Sequence, residues 1–185
     1  MAGEVKGRMV EGAVQLLARR GLQATSFSEV LALTDAPRGS VYHHFPEGKD
    51  QMVGSAVDMA GAFLIGALDR KAGAPAAEIA EHFLAIWRAV LTRSGCGSGC
   101  AVLAVAVAAD SAELLGHATA VFRSWRTRLA ELLQQGGMQP EAARRFATTL
   151  IASAEGAVVL SRAEKDIEPF ETVAAQLLDQ LRSLA

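Results

Sequence analysis

Two cysteines, a single tyrosine and 5 % aromatic residues in 185 positions exclude several common protein designs. Cys96 and Cys100 are too few for a disulfide scaffold, and Cys-Gly-Ser-Gly-Cys lacks the second ligand pair of a structural zinc site. The thiols are expected to be reduced. Strand-forming runs of Ile, Val, Thr and Tyr are missing almost everywhere, while Ala, Leu and Val crowd the chain, so an all-α fold is expected. Long apolar runs are also short in supply. Cys100 to Ala109, the most apolar run, has about half the roughly 20 residues of a membrane-spanning helix. The N-terminus shows no charged segment leading into an apolar signal core, so a cytoplasmic protein with no membrane partner is expected.

An excess of positive charge is missing as well. The formal net charge is -2, and residues 1 to 50 balance six basic side chains (Lys6, Arg8, Arg19, Arg20, Arg38, Lys49) with six acidic ones (Glu4, Glu11, Glu29, Asp35, Glu47, Asp50). Bulk electrostatics therefore give no support for a nucleic-acid partner, and any such contact must come from local placement.

The hydrophobic content, 51 %, is ample for a buried core. Val5, Met9, Val10, Ala13, Val14, Leu16 and Leu17 recur at helical spacing, which predicts an amphipathic helix over 4–20, ended by Gly21 after a basic last turn. Ser26 and Glu29 stand at capping-box spacing before Val30, Leu31 and Leu33, so a short second helix starts there. Thr34-Asp35-Ala36-Pro37 stops it, because proline disfavours helical backbone in the preceding residue but suits the start of a new helix. A third helix is predicted from Arg38 to Phe45. Pro46-Glu47-Gly48-Lys49 breaks the chain again before a fourth, running to about Lys71. Beyond Ala72-Gly73-Ala74-Pro75, helices are expected near 75–93, 100–109, 111–135, 140–164 and 168–184. Residues 1–48 are expected to form one domain and 49–185 a second, with helix 49–71 connecting them.

Two short helices joined by a tight turn have the dimensions of a helix-turn-helix, whose second helix enters the DNA major groove. Plain helical bundles contain similar hairpins. The wording of the segment is more specific: Ala24-Thr25-Ser26-Phe27, then Pro37-Arg38-Gly39-Ser40-Val41-Tyr42-His43-His44-Phe45-Pro46, then Gly48-Lys49. Over roughly residues 7 to 60 this resembles TetR family regulators, in particular the LmrA/YxaF-like ones. The resemblance implies an N-terminal three-helix helix-turn-helix domain and a C-terminal helical ligand-binding and dimerisation domain. It further implies that Arg38 to Phe45 is the recognition helix and that a homodimer represses transcription from double-stranded operator DNA until a small-molecule effector binds.

The residues fit that placement chemically. Arg38 offers a bidentate fork to a guanine edge or a phosphate. Gly39 allows close backbone approach, and Ser40 adds a short hydroxyl. Tyr42, His43 and Lys49 can donate to phosphate oxygens, while Thr25 and Ser26 place hydroxyls and amides at a helix N-terminus. Ser26 serves equally well as a cap. Val41 and Phe45 are expected to face inward, and His44 to be a buried, hydrogen-bonded core histidine, with a phosphate contact as the alternative. Where many relatives have glycine and a small hydroxyl residue in the turn, this chain has Asp35 and Pro37; Asp tolerates left-handed backbone, so the turn survives.

In the second domain, Ala101 to Ala109 followed by Val121, Phe122, Trp125, Leu129, Leu132 and Leu133 predicts an apolar interior, which on pattern alone is core. The resemblance implies that it opens into a cavity for a small apolar or aromatic molecule. Trp87, Leu103, Phe122, Trp125, Phe146 and Leu150 are then candidate wall residues, with His117, Thr149 or Ser153 orienting the ligand. Helix 140–164 is dense in small residues (Ala152, Ser153, Ala154, Gly156, Ala157, Ser161), and helix 168–184 carries Val173, Leu177, Leu178 and Leu181 on one stripe. The resemblance makes these two helices the dimer interface; burial within one chain is the alternative for each. Gly-rich phosphate loops, metal-ligand clusters and nucleophile elbows are not found, so neither an enzyme nor a cofactor is expected. A redox-responsive regulator switched through Cys96 and Cys100 is the alternative trigger, with Arg93 as the only basic neighbour in sequence.

Overall fold

A computed structural model describes residues 2–184, and every regular element in it is an α-helix. The elements are α1 (Ala2–Arg20), α2 (Phe27–Thr34), α3 (Ser40–His44), α4 (Lys49–Asp69), α5 (Ala76–Ser94), α6 (Ala101–Ala106), α7 (Ala112–Gln135), α8 (Pro140–Glu164) and α9 (Glu168–Leu184). The punctuation works as the side chains dictate. Gly21 leaves α1 at φ +80°, its amide donating to Leu17 O at 3.0 Å. Asp35 ends α2 in the left-handed region (φ 49°, ψ 36°), a conformation its short polar side chain tolerates.

Two expectations are corrected. The third helix is shorter than Arg38 to Phe45: Arg38 and Gly39 form a turn, in which both the amide and the hydroxyl of Ser40 donate to Pro37 O at 2.9 and 2.6 Å. Phe45 closes the element at ψ 66°, outside the helical region. The α2 cap is also half a capping box. Ser26 Oγ accepts from Glu29 N at 3.2 Å, but the Glu29 carboxylate turns to Arg20 Nη1 at 2.6 Å instead of returning to the cap amide.

The chain divides into two compact units, each built from two segments. The first holds residues up to Phe63 together with Cys100–Phe122. Its centre is α1, which packs on α2 and α6 and buries Met9, Ala13 and Leu17 completely. Val41, Phe45, Met52, Val53, Val102 and Val105 complete that interior. The second unit holds Leu64–Gly99 and the chain from Arg123 onward. There α8 packs on α9 and α5 packs on both, around Phe83, Leu91, Leu129, Phe146, Leu150 and Phe170.

Within the second unit, Arg88 on α5 grips Glu171 on α9 with both forks, Nε to Oε1 at 2.6 Å and Nη2 to Oε2 at 2.7 Å. These hydrogen bonds, aided by the guanidinium charge, hold the Glu171 carboxyl below its ordinary range despite the opposing effect of burial. A depressed carboxyl contributes stability above its unfolded-state pKa and loses it as pH falls through the lower folded-state value. The side chain is 42 % exposed, so the contribution is that of a well-formed surface pair, about 0.2–1 kcal/mol. Thermal melts from pH 7 down through the carboxylate range should show a wild-type advantage over Glu171→Gln at neutral pH that vanishes at the acid end. A constant difference between the two would contradict this role.

Among the described residues one helix, α4, is long and apolar enough to cross a membrane by length and composition, where the sequence had singled out only the shorter run Cys100 to Ala109. Half of its most apolar window is buried in the fold, as in a core helix.

Candidate nucleic-acid interface

The short helices α2 and α3 and the turns beside them carry most of the N-terminal candidates, and α3 decides which of them face outward. Five residues give it one inner and one outer side. Val41 is buried at 2 % exposure and Phe45 fully, with the Phe45 ring stacked 6.2 Å from Phe27 and the Lys6 ammonium 5.6 Å from the Phe45 centroid. These anchors turn Tyr42 and His43 to solvent. Tyr42 is 78 % exposed, touching the protein through an edge contact with Phe27 at 6.5 Å. An aromatic so exposed, beside exposed Arg38, Gly39 and His43, is not placed there by packing.

The remaining candidates are bound into the fold to different degrees. Ser40 is half-buried, its hydroxyl committed to Pro37 O. Ser26 is half-buried as the α2 cap, with its hydroxyl also 2.9 Å from Ser28 Oγ. Lys49 reaches back to the α1–α2 connection, where Nζ donates to Leu22 O at 3.1 Å. Two of its three N–H donors are left over from that bond. Thr25 differs from expectation most: it is fully buried and its hydroxyl donates to Gly21 O at 2.9 Å, so its side chain shapes the loop from within. His44 is half-buried, with ring contacts to His43 at 5.0 Å and to Phe45 at 6.5 Å, rather than deep in the core.

The first unit also contains contacts that the sequence reading missed. His117 of α7 lies on Gly54 of α4: a Cβ at residue 54 would stand 2.8 Å from His117 Nε2. Its other ring nitrogen, Nδ1, is 2.9 Å from Asp58 Oδ1, one helical turn along α4. One turn further, a Cβ at Gly61 would meet both Val121 methyls at 2.8 and 2.9 Å. Glycines inside a helix cost stability relative to alanine, so two of them facing one neighbour mark a close helix crossing. That signal was present in the sequence. His117 thus ties α4 to α7.

The other effector-domain candidates are shared between the units. Leu103 and Phe122 are half-buried in the first. Trp87, Trp125, Phe146 and Leu150 lie in the interior of the second, each at 6 % exposure or less. Ser153 is half-buried, and Thr149 is exposed with its hydroxyl donating to Arg145 O at 3.1 Å. A shallow cleft of about 160 Å³ between α8 and α9 is lined by Ala142, Arg145, Phe146, Thr149 and Gln180.

The small residues of α8 prove to have two directions. Ala154, Ala157 and Ser161 face inward, and Ser161 Oγ accepts from Phe170 N at the α8–α9 corner. Ala152 and Gly156 face outward with Val159 and Leu160, which are 49 % and 50 % exposed. On α9 the expected stripe is largely spent on its own chain, with Leu177 and Leu181 buried. Both cysteines are buried thiols, and Cys100 Sγ caps α6 by accepting from Leu103 N at 3.3 Å. Redox-responsive thiols are ordinarily solvent-accessible, and neither of these is exposed.

Comparison with known proteins gives this arrangement a context. Residues 9–56 match the family of bacterial regulatory proteins known as tetR, and residues 75–176 match the C-terminal domain of LmrA/YxaF-like transcriptional regulators. An HTH-type transcriptional regulator of Mycobacterium tuberculosis is 33 % identical over 181 residues, covering 94 % of this chain and 92 % of its own. The HTH-type transcriptional regulator LmrA of Bacillus subtilis is 24 % identical over 189 residues, covering 97 % and 98 %. The crystal structure of a TetR transcriptional regulator from Chloroflexus aurantiacus superposes with a TM-score of 0.80 at 28 % identity, covering 98 % of this chain and 96 % of that one. With a family match across more than half its length and a 33 %-identical relative over nearly all of it, the chain belongs to the TetR family of transcriptional regulators, in its LmrA/YxaF-like branch, and not to an enzyme family.

Proposed function

We propose that this regulator is a cytoplasmic repressor that holds double-stranded operator DNA as a homodimer and releases it when a small apolar or aromatic molecule enters the second domain. The observation that carries the reading is the outward set Arg38, Gly39, Tyr42 and His43, held by the inward anchors Val41 and Phe45. Arg38 reads a base edge or clamps a phosphate, and Tyr42 and His43 donate to the backbone. Ser26, Ser40 and the spare donors of Lys49 add phosphate contacts at the rim, and Thr25 supports them from inside.

A dimer forms through α8 and α9. Support comes from the outward face of α8, where Ala152 and Gly156 permit close helix approach and Val159 with Leu160 supply exposed apolar surface. A two-fold axis there presents two copies of α3 about one helical turn of DNA apart.

Release follows from differential affinity of the ligand for two arrangements of the chain. Trp87, Trp125, Phe146 and Leu150 belong to the wall of the ligand site. The second half of α7 shares their unit, while its first half carries His117 and Val121 against α4. Movement of this one helix by a ligand therefore pulls on α4, which follows α3 directly in the chain.

Gel-shift titration against the DNA upstream of its own coding region, at about 50 and 200 mM salt, tests the reading. Specific, salt-sensitive binding by a dimer supports it, with affinity falling steeply between the two salts because phosphate contacts release counterions. A stable monomer, or binding indifferent to both sequence and salt, would sink it.

A further inference from the structure

Trp87 sits on the inner side of α5 with Phe83, Leu84 and Leu91, and is 6 % exposed. Its indole Nε1–H, which buried tryptophans ordinarily pair, has no acceptor among the described residues. Leaving a buried donor unmet costs stability, and replacement by an apolar ring of similar shape would remove the cost. Retaining the indole there needs a reason outside the packing.

The charge of the interior narrows what could supply the acceptor. Among the described residues the buried polar side chains are Thr25, Glu155 and Ser161; no lysine or arginine is buried. Of the acidic and basic side chains described in the second unit, the buried one is thus an acid, Glu155, which disfavours an anionic guest. A cationic guest would have no use for a hydrogen-bond donor. We infer that the Trp87 indole N–H is the polar recognition point of the effector site, and that the effector is a neutral molecule with an apolar body and a hydrogen-bond acceptor such as a carbonyl oxygen. This rests on the ligand-responsive reading and specifies its chemistry.

The test uses two probes with one skeleton, benzophenone and diphenylmethane, which differ in carrying C=O or CH2 at the centre. With the full-length protein, benzophenone should bind about tenfold more tightly than diphenylmethane, the value of one buried hydrogen bond. Trp87→Phe should abolish that preference by weakening benzophenone alone. Circular dichroism melts establish that the variant folds. Independently, in the wild-type protein, whose two indoles are told apart because one resonance is missing from Trp87→Phe, benzophenone should shift the Trp87 indole N–H proton resonance and diphenylmethane should not. Equal affinity of the two probes for the wild type, binding of neither, or a preference unchanged in Trp87→Phe would overturn the inference.

Operator binding measured on the same samples separates the two ideas. A Trp87-dependent preference without operator release would refute ligand-driven release and leave the recognition point standing. Operator release by compounds that ignore Trp87 would do the reverse.

Discussion

Arg38→Ala is expected to lower specific operator affinity by about 1–3 kcal/mol, roughly 5- to 150-fold, with little change in melting temperature. The separation of the two effects follows from position. Arg38 lies in the exposed turn ahead of α3, so truncating it leaves the anchors Val41 and Phe45 in place. Its guanidinium is the one side chain of the outward set able to make a bidentate contact with a guanine edge. If it reads a base, the loss should concentrate on one operator position, and a substituted operator should be bound alike by both proteins. Lys49→Ala, in contrast, should weaken all sequences and also cost some stability, because Nζ ties to Leu22 O. Unchanged operator affinity in the Arg38 variant, measured by fluorescence anisotropy at fixed salt, would remove it from the interface.

Gly54→Ala should reverse the usual sign of a helix substitution. Alanine in place of glycine in an exposed helix interior stabilises by about 1 kcal/mol, and Gly66 of the same helix, whose Cβ position is open, should behave in that way. At residue 54 the new methyl meets the His117 ring at 2.8 Å, and the ring is held on its far side by Asp58. Either α7 moves off or the His117–Asp58 bond breaks, a strain of about 1–3 kcal/mol. Chemical denaturation of the two variants should therefore shift in opposite directions. Because the crossing joins α7 to the helix that follows α3, Gly54→Ala should also alter operator affinity while Gly66→Ala leaves it unchanged. Stabilisation by both substitutions would show that the crossing yields without cost.

Much of the molecule is legible before any coordinates. Apolar residues at three- and four-residue spacing, with Gly21, Pro37, Gly95 and the Gly136-Gly137 pair as punctuation, locate all nine helices among the described residues to within a few positions. Capping and backbone stiffness act over three or four residues, so Ser26 and Asp35 do locally what their side chains permit. The inward turn of Val41 and Phe45 is equally local, since a helix fixes the direction of every side chain relative to its neighbours. Family membership follows from the same short segment, now supported along nearly the full length.

What the chain could not state alone is which partner each polar group takes. Thr25, Lys49 and Glu29 have surface chemistry in sequence, yet the turns between bring them Gly21 O, Leu22 O and the Arg20 guanidinium as partners. The pairing of His117 with Asp58 depends on α7 lying along α4, and Gly54 and Gly61 acquire meaning only from what presses on them. Small residues in α8 divide between inside and outside according to which neighbours occupy its inner face. Helices, their ends and the family are properties of near neighbours in the chain. Pairs such as Lys49 with Leu22 and His117 with Asp58 join residues 27 and 59 positions apart, and only packing in three dimensions assigns them.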